Sequence, residues 1–247
     1  NIFWWDRNSG EHPVSLKPFY SDTISGFTDA LLDKNGNLIT SSTRILAFIN
    51  GRILTNSFEY MTDQFTIDNK NRIWVAPRSN KLYCFEIAGN GNDAKLALLK
   101  KFESITPNSP RSITTDHDGN LWIGTRGQGL FYFILDGLTI RSVRNITAKD
   151  GLSENFIGRL FCDKDNNIWA CSPSGLDKIK ISNNNILIEN ITRSNNLYLQ
   201  TVKVEQSANG MIWILSTAGV LTYNPNRPVV TDWKPQLNFF DIVYSNK

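Results

Sequence analysis

The sequence lacks the features of membrane spans and of nucleic-acid binding. No run of about 18 apolar residues occurs in its 247 residues, so we expect no membrane contact within them. Basic residues outnumber acidic residues only by 26 to 23, and no basic tract stands out, which argues against a nucleic-acid partner. No signal peptide is visible. The small excess of positive charge is still compatible with an anionic small ligand.

Cysteine and histidine are also scarce. With three cysteines, Cys84, Cys162 and Cys171, at least one must be unpaired, and we expect small apolar side chains packed between sheets. A Cys162–Cys171 bridge is the alternative, but a hairpin centred near Asp165 would put the two out of register. Only His12 and His117 exist, which gives no histidine pair for a metal and no convincing Ser/His/Asp set. We therefore expect no metal, no cofactor and no catalysis.

What the sequence does contain is a repeated turn-and-strand pattern. At Asp116–Thr125, acidic, Gly and Asn residues suited to a tight reversal precede a short apolar strand. Related copies begin at Asp33, Asp68, Asp163 and Ser207, and a partial copy begins at Asn1, so we expect further chain upstream. The positions equivalent to Trp122 are Phe3, Ile39, Trp74, Trp169 and Trp213. Their spacing of about 35 to 48 residues is typical of propeller blades built from four short strands.

The repeats predict an all-β protein, a β-propeller of four-stranded antiparallel blades. We place a partial blade at 1–22 and full blades at about 23–57, 58–107, 108–153, 154–197 and 198–224. Prolines break strand pairing, so 225–228 is predicted to be a linker, and 229–247 the first strand of a following module. We expect the repeated tryptophans to fill the space between adjacent sheets, at Trp74, Trp122, Trp169 and Trp213.

The loops of such a propeller predict a ligand-binding face. Propellers gather ligands where second-to-third-strand loops meet the fourth-to-first-strand crossovers. The candidates are Arg44, Arg78, Arg126 and Gln128 in the former, Arg111, Glu154, Asn155, Tyr198 and Gln200 in the latter, and Arg159 on a first strand. Arginine binds carboxylate or sulfate in a bidentate manner, and tyrosine can stack on a sugar ring. A solvated loop surface is the alternative for any one of them.

The first strands predict a polar central channel. Four residues before each leading acid the side chain is always polar, and the next is always apolar. The polar set is Asp29, Gln64, Ser112, Arg159 and Lys203, and the apolar set is Ala30, Phe65, Ile113, Leu160 and Val204. We expect the polar set to face channel water, with ligand contact as the alternative, and the apolar set to pack between blades.

The acids of the repeat invite a calcium interpretation. Asp116, Asp118 and Asn120 carry oxygen donors at alternating positions, but Gly127 stands where an EF-hand would need a bidentate acid. A structural turn, in which the leading acid caps backbone amides, explains every copy.

These repeats resemble the two-component-regulator propeller family, whose blades carry Asp-x-x-Gly-Asn-Leu-Trp-Ile-Gly-Thr-x-x-Gly-Leu. Asp116–Leu130 matches nearly throughout, and Asp150–Ser153 matches the entry into a blade. The resemblance covers roughly residues 27 to 224, and 228–244 looks like the start of the three-tyrosine β-sandwich that follows such propellers. It implies a periplasmic sensing region of a hybrid two-component system, often governing glycan use. The family typically closes seven-bladed rings.

The expected function is therefore signal transduction by a non-catalytic sensor module. It would bind an oligosaccharide or another small ligand and pass the signal to the rest of the sensor chain. One alternative is a scaffold that binds another protein, or a second copy of itself as a homodimer, through a blade face. The other is a streptogramin-lyase-like propeller, a type that the repeats faintly resemble and that needs acid/base histidines near the channel mouth.

Overall fold

A computed structural model of the chain describes residues 3–4, 14–15, 28–41, 44–49, 52–57, 61–104, 110–182, 185–195, 197 and 199–225. Strands dominate these residues, beside a four-residue helix, α1 (Ile191–Ser194), and 3-10 turns at Gly91–Asp93 and Ala148–Asp150. None of the helices described has the length and apolar character needed to cross a bilayer. The prediction of an all-β propeller is confirmed. The predicted module at 229–247 lies outside the described residues.

Five antiparallel sheets follow one another along the chain, each built from strands in sequence order. Blade 1 has β3 (Asp29–Leu32), β4 (Leu38–Ser41), β5 (Arg44–Ile49) and β6 (Arg52–Ser57); blade 2 has β7 (Phe65–Ile67), β8 (Ile73–Val75), β9 (Leu82–Ala88) and β10 (Lys95–Phe102); blade 3 has β11 (Pro110–Thr115), β12 (Leu121–Thr125), β13 (Leu130–Asp136) and β14 (Thr139–Ile146); blade 4 has β15 (Arg159–Cys162), β16 (Ile168–Ser172), β17 (Gly175–Ser182) and β18 (Asn185–Asn190); blade 5 has β19 (Thr201–Gln206), β20 (Ile212–Ser216) and β21 (Gly219–Tyr223). A short pair, β1 (Phe3–Trp4) and β2 (Val14–Ser15), precedes them.

In four of the five described blades, the leading acid of the repeat builds the turn between the first two strands. In blade 3, one carboxylate oxygen of Asp116 accepts backbone N–H bonds from Asp118 at 3.1 Å and from Asn120 at 2.8 Å. The other oxygen accepts the indole N–H of Trp122 at 3.2 Å. Asp68 and Asp163 accept the indoles of Trp74 and Trp169 at 2.8 Å in the same way. The acid thus acts as a turn cap and an anchor for the tryptophan, as the structural-turn interpretation expects.

The core lies between the blades, where three of the repeated tryptophans pack on the sheet that follows. Trp74 joins a cluster with residues of blade 3, Trp122 with residues of blade 4, and Trp169 with residues of blade 5. All three side chains are buried. Sheet-on-sheet burial of this kind is the main stabilising contribution in a propeller, because each blade alone has two faces to cover. The prediction of core packing is confirmed at these three positions.

At the fourth position the prediction is wrong, because Trp213 is 41% exposed. Among the described residues, no blade follows blade 5, so nothing covers the face from which this ring projects. The turn of this repeat also begins with Ser207 rather than Asp, so no carboxylate is there to hold the indole N–H. Blade 5 has three described strands, where the other four blades have four.

The three cysteines are free thiols, as their positions in the blades require. Cys162 pairs with Ile168 across the β15–β16 hairpin, while Cys171 pairs with Arg159, so the two cysteines are not cross-strand neighbours. Burial raises the pKa of each thiol to about 12. The expectation of cysteines packed between sheets is confirmed for the buried Cys84 and Cys171, Cys162 is partly buried, and the alternative of a Cys162–Cys171 bridge is excluded.

Candidate functional site

Strand direction divides the propeller into two faces. First strands start, and second strands end, on the same side of each blade, as the pairing of Pro110 with Thr125 shows. We call that side the rim, and it carries the crossovers and the second-to-third-strand loops. The repeated acidic turns occupy the opposite side, the turn face. The predicted ligand residues in those loops therefore share one face of the molecule.

The most connected group on the rim is centred on Asp63, an acid that precedes β7. Arg78, from the next loop of the same blade, donates to both Asp63 oxygens, with its Nε at 2.8 Å from Oδ2. Arg111, from blade 3, donates from Nη1 to the same Oδ2 at 3.0 Å. Burial alone would raise the pKa of Asp63, but the hydrogen bonds from Arg78 and Arg111 hold that pKa below its usual value. We call these three residues the rim cluster; two cations share one anion there.

The backbone of blade 3 aims Arg111 at this acid. The β11–β12 ladder shifts register between Pro110 and Ser112, which makes Arg111 the bulged residue. Bulges redirect a side chain and often occur beside binding sites. The Nε of Arg111 is buried and has no acceptor among the described residues. A buried donor without a partner is uncommon in proteins, so its presence here marks the rim cluster as a special position.

Other predicted rim residues form local contacts. Arg126 and Gln128 are exposed in the loop after β12, and the Gln128 backbone N–H donates to Thr125 Oγ1 at 2.9 Å. Arg126 makes no hydrogen bond or ion pair within the described part of the chain. Glu154 accepts bonds from the backbone and hydroxyl of Ser174, and Asn155 accepts the Ala148 backbone N–H at 2.8 Å. Glu154 thus braces a loop of blade 4 and Asn155 braces the crossover from blade 3, whereas Arg126 is available to solvent.

The remaining rim candidates are more peripheral. Arg44 is exposed at the start of β5, and Gln200 is exposed in the crossover before β19. The backbone carbonyl of Gln200 accepts the Thr217 N–H at 3.1 Å, which leaves its side chain at the surface. Tyr198 lies outside the described residues.

Arg159 lies in the central channel rather than on the rim surface. Its Nη2 donates to the Thr28 carbonyl at 3.0 Å, and its Nη1 is 3.4 Å from Asp29 Oδ2, so blade 4 is tied to blade 1. Gln64 makes a parallel link, donating to the Leu160 carbonyl at 2.8 Å and accepting the Leu160 N–H at 3.3 Å. We call these links the channel brace. Because it joins blades 1, 2 and 4, it holds non-adjacent sheets at fixed separation.

Below the brace, the first strands line a half-open cavity of about 500 Å³. Asp29, Gln64, Arg159 and Lys203 line its rim side, and the turn residues Lys34, Asn69 and His117 line its other end. Burial raises the pKa of Asp29, an effect that the nearby Arg159 opposes. The arginines of the rim cluster do not line this cavity, so the rim cluster and the cavity are different places, and Arg159 is the predicted ligand residue that lies in the cavity.

Four of the five polar residues that were expected to face the central channel line its cavity. Ser112 is the exception, because it is buried with its Oγ 3.5 Å from the Ile157 carbonyl of the next crossover. The apolar set behaves similarly, since Phe65, Ile113, Leu160 and Val204 are buried but Ala30 is exposed. Ser112 is covered by the crossover residue Ile157, and Ala30 is open because no described blade precedes blade 1.

Acid/base chemistry has little support at either face. His117 lies in the turn of blade 3, at the far end of the cavity from the rim cluster, and His12 lies outside the described residues. Within the described ranges, no three His, Cys, Asp or Glu side chains are grouped so as to hold a metal ion. What the rim cluster can do chemically is bind, because fixed guanidinium groups recognise anionic or hydroxyl-rich ligands.

Asp63 is not among the residues that the sequence predicts for the rim. The sequence predicts Arg78 and Arg111 as ligand donors, whereas in the structure both are paired with this acid. The available signal was the position of Asp63, directly before the polar channel residue Gln64 at the start of a first strand.

Comparisons with known proteins agree with the repeat and the fold. A family model described as two component regulator propeller matches residues 104–127. No curated protein sequence matches the chain. Among solved structures, the chain is similar to an extracellular domain assigned to a hybrid two component system of B. thetaiotaomicron, with 18% identity, a TM-score of 0.64, and 84% of this chain and 27% of that chain covered. The resemblance drawn from the repeats is confirmed.

Two further solved structures share the fold. Another extracellular domain from a hybrid two component system of B. thetaiotaomicron matches at 17% identity with a TM-score of 0.53, covering 87% of this chain and 35% of that one. Virginiamycin B lyase from Staphylococcus aureus matches at 15% identity with a TM-score of 0.60, covering 85% of this chain and 73% of the lyase. The chain thus spans about a quarter to a third of the sensor domains that it matches.

Proposed function

We propose that this chain is a non-catalytic, ligand-sensing propeller of an extracytoplasmic two-component sensor, and that it binds a glycan-derived oligosaccharide on its rim. The observation that carries the proposal is the rim cluster, in which Arg78 and Arg111 from adjacent blades share Asp63. The resemblance of the repeats to sensor propellers supports the sensing role, and the extracellular origin of the matched domains supports the location.

The geometry of the rim favours a polar ligand with an acidic group. The rim cluster carries two guanidinium groups and one carboxylate, and Arg126 adds an exposed cation at the adjoining strand end of blade 3. A carboxylate or sulfate on a sugar could bind Arg126 while the ring hydroxyls meet the paired groups, because guanidinium binds both anions through parallel hydrogen bonds. The signal would leave through the linker at 225–228 by a shift in packing between states.

Calorimetric titration of the chain with acidic and neutral oligosaccharides tests the proposal. We expect binding of at least one acidic oligosaccharide, weakened about 10- to 100-fold by Arg126→Ala, because a hydrogen bond to a charged group is worth about 1.5–3 kcal/mol. Arg141→Ala is the matched control, since Arg141 is an exposed arginine on the outer strand of the same blade that pairs with Asp136. Equal weakening by both variants, or no binding by any oligosaccharide, would contradict the proposal.

The lyase alternative has no supporting observation of its own. The lyases share the propeller fold at about 15% identity, which carries no catalytic residue to this chain. His117 lies away from the rim cluster. The lyase alternative would require that the chain cleaves a streptogramin and that His117→Ala abolishes this cleavage.

A further inference from the structure

The acid at the centre of the rim cluster is held differently from the acids that build the blades. Each of those structural acids accepts a backbone N–H bond that fixes a turn or a crossover; they are Asp33, Asp68, Asp116, Asp163 and Asp177. Asp63 has no such bond within the described ranges, where its carboxylate accepts only from Arg78 and Arg111. The carboxylate of Asp63 therefore serves the two arginines rather than the backbone around it.

The contacts of Asp63 are those that a free anion would make. The Nε and Nη2 of Arg78 donate to its two oxygens in parallel, which is how guanidinium binds a carboxylate or sulfate ligand. Arg111 adds a third bond from Nη1. The side chains of Arg78, Arg111 and Asp63 are 39%, 21% and 18% exposed. An anion in solution can therefore reach the place of the Asp63 carboxylate.

The rim cluster also has an excess of positive charge. Two guanidinium groups share one carboxylate. Arg126 adds a further cation near Arg111, since it follows Thr125, the partner of Pro110 at the end of the β11–β12 ladder. Arg111 gives one N–H to Asp63, while its buried Nε has no acceptor among the described residues, which costs free energy. A sulfate group, which has more free oxygens than a carboxylate, would bond more of these donors.

The backbone beside Asp63 is anchored independently of its carboxylate. Arg78 donates its backbone N–H to the Met61 carbonyl at 2.8 Å. The hydroxyl of Thr62 donates to the Gln64 carbonyl at 2.9 Å, and the Gln64 side chain is bound in the channel brace. Release of the carboxylate therefore leaves the start of β7 in place and needs only the rotation of one side chain.

We propose that Asp63 is an internal stand-in for an acidic group of the ligand, which must displace the Asp63 carboxylate from Arg78 and Arg111 to bind. This inference rests on the proposed function and narrows its ligand class to oligosaccharides with two acidic groups, one at Arg126 and one at the arginine pair. A sugar hydroxyl cannot take the place of the carboxylate, because charge-assisted hydrogen bonds are roughly twice as strong as neutral ones. Asp63 thus selects against neutral and singly charged sugars by occupying part of the site itself.

Deletion of the acid tests whether the arginine pair takes an anion from solution. Asp63→Ala removes the carboxylate, and formate is the anion with the size of the deleted group. We expect formate to raise the Tm of Asp63→Ala by about 2–4 °C above the change seen with equal chloride, because a ligand bound only to the folded state stabilises it. Asp136→Ala is the matched control, since it removes the exposed partner of Arg141. No rise, or an equal rise in both variants, would overturn the proposal.

Calorimetric titration of the whole chain tests displacement by a ligand. The probe is a disaccharide that carries one carboxylate and one sulfate group, and its neutral parent sugar is the comparison. We expect Asp63→Asn to bind the acidic probe about 10-fold more tightly than the wild type, because the ligand no longer competes with a charge-assisted pair. The neutral sugar should gain nothing. Asp136→Asn, which changes the net charge equally, should bind the acidic probe as the wild type does.

A failure of displacement can be told apart from a failure of sensing. If the wild type binds the acidic probe and Asp63→Asn binds it equally or more weakly, the displacement of Asp63 is overturned and the sensing of acidic sugars stands. An equal gain in Asp136→Asn would assign the change to net charge and would also overturn the displacement. If neither the wild type nor Asp63→Asn binds any acidic oligosaccharide, the proposed function is overturned and this proposal with it.

Discussion

Asp116 shows, at the scale of a single residue, how the repeat stabilises a blade. Its carboxylate accepts four hydrogen bonds, from two backbone amides, the Asn120 side chain and the Trp122 indole. Burial raises the pKa of this acid despite those bonds. A carboxylate with all its acceptor sites filled by protein donors is a structural group, which accounts for its recurrence in the repeat without any bound metal.

Trp122 gives the first prediction at this scale. Replacement by Ala should lower the free energy of unfolding by about 3–5 kcal/mol, because it leaves a large cavity between blades 3 and 4 and removes the indole hydrogen bond to Asp116 Oδ2. Urea denaturation measures the change. Leu187→Ala, at an exposed site on blade 4, should cost about 0.5 kcal/mol or less. Similar costs for the two variants would contradict the blade packing described above.

Asp63 gives a prediction about pH. Its pKa is lowered in the folded state, so the unfolded state binds more protons and the stabilisation is present above the unfolded value of 3.8. It should be lost as the pH falls below that value through the folded pKa. The stability difference between the wild type and Asp63→Asn should therefore be larger at about pH 6 than at about pH 2–3. Asp136→Asn is the control: Arg141 lowers the pKa of Asp136 too, but that pair is exposed and screened by solvent, so the change with pH should be smaller.

At the scale of the structural element, the loop between the second and third strands depends on glycine. Gly129 has a φ of +79°, and a Cβ there would lie 2.2 Å from the Ile146 carbonyl oxygen of the neighbouring strand. Gly36 has the same φ of +79° but open space around it. The first position needs glycine for conformation and for close approach, and the second needs it for conformation alone.

Alanine substitutions at Gly36 and Gly129 separate the cost of a positive φ from the cost of a steric clash. Gly36→Ala should cost about 1–2 kcal/mol, the strain of a left-handed alanine. Gly129→Ala should cost roughly 1–3 kcal/mol more, because the β13–β14 pairing must move to admit the methyl group. Thermal or urea unfolding of both variants measures the difference. Equal costs would mean that the loop after Thr125 relaxes freely and does not fix the rim.

At the same scale, position in the repeat outweighs an ambiguous local pattern. Asp93–Phe102 has the most helix-like pattern of the chain, but its place in the repeat predicts an outer strand, and the structure has the outer strand β10 at Lys95–Phe102. Pairing with β9 from Lys95 to Phe102 satisfies its backbone, with a register shift between Leu98 and Lys100. Tertiary pairing overrides a weak local preference here, because an edge strand pairs along one side only and tolerates irregular side chains.

At the scale of the whole molecule, the channel brace ties together sheets that are far apart in sequence. A double-mutant cycle on Asp29→Asn and Arg159→Met should give a coupling free energy of about 0.5–2 kcal/mol, because the pair is partly buried. The exposed Lys203–Glu205 pair should couple by about 0.5 kcal/mol or less. No coupling between Asp29 and Arg159 would mean that the channel contact does not hold the blades.

The sequence by itself determined the repeat, and with it the blade. Phase and spacing placed Trp74, Trp122 and Trp169 in the core and the acids in turns, because those roles depend on local periodicity and turn chemistry. The burial of three of these tryptophans and the hydrogen bonds of Asp116 agree with that prediction. The loop residues of the rim could be named in the same way, since strand order decides which loops share a face.

Only the tertiary structure decided which repeated positions are covered and which charges meet. Trp213 has the same sequence phase as Trp122 but is exposed, because burial depends on a following blade and not on the strand that carries the ring. Arg78 and Arg111 are 33 residues apart in sequence, and only the packing of blade 2 against blade 3 brings both to Asp63. Contacts between sheets depend on the number and order of the blades around the ring, and no local pattern in the chain encodes those.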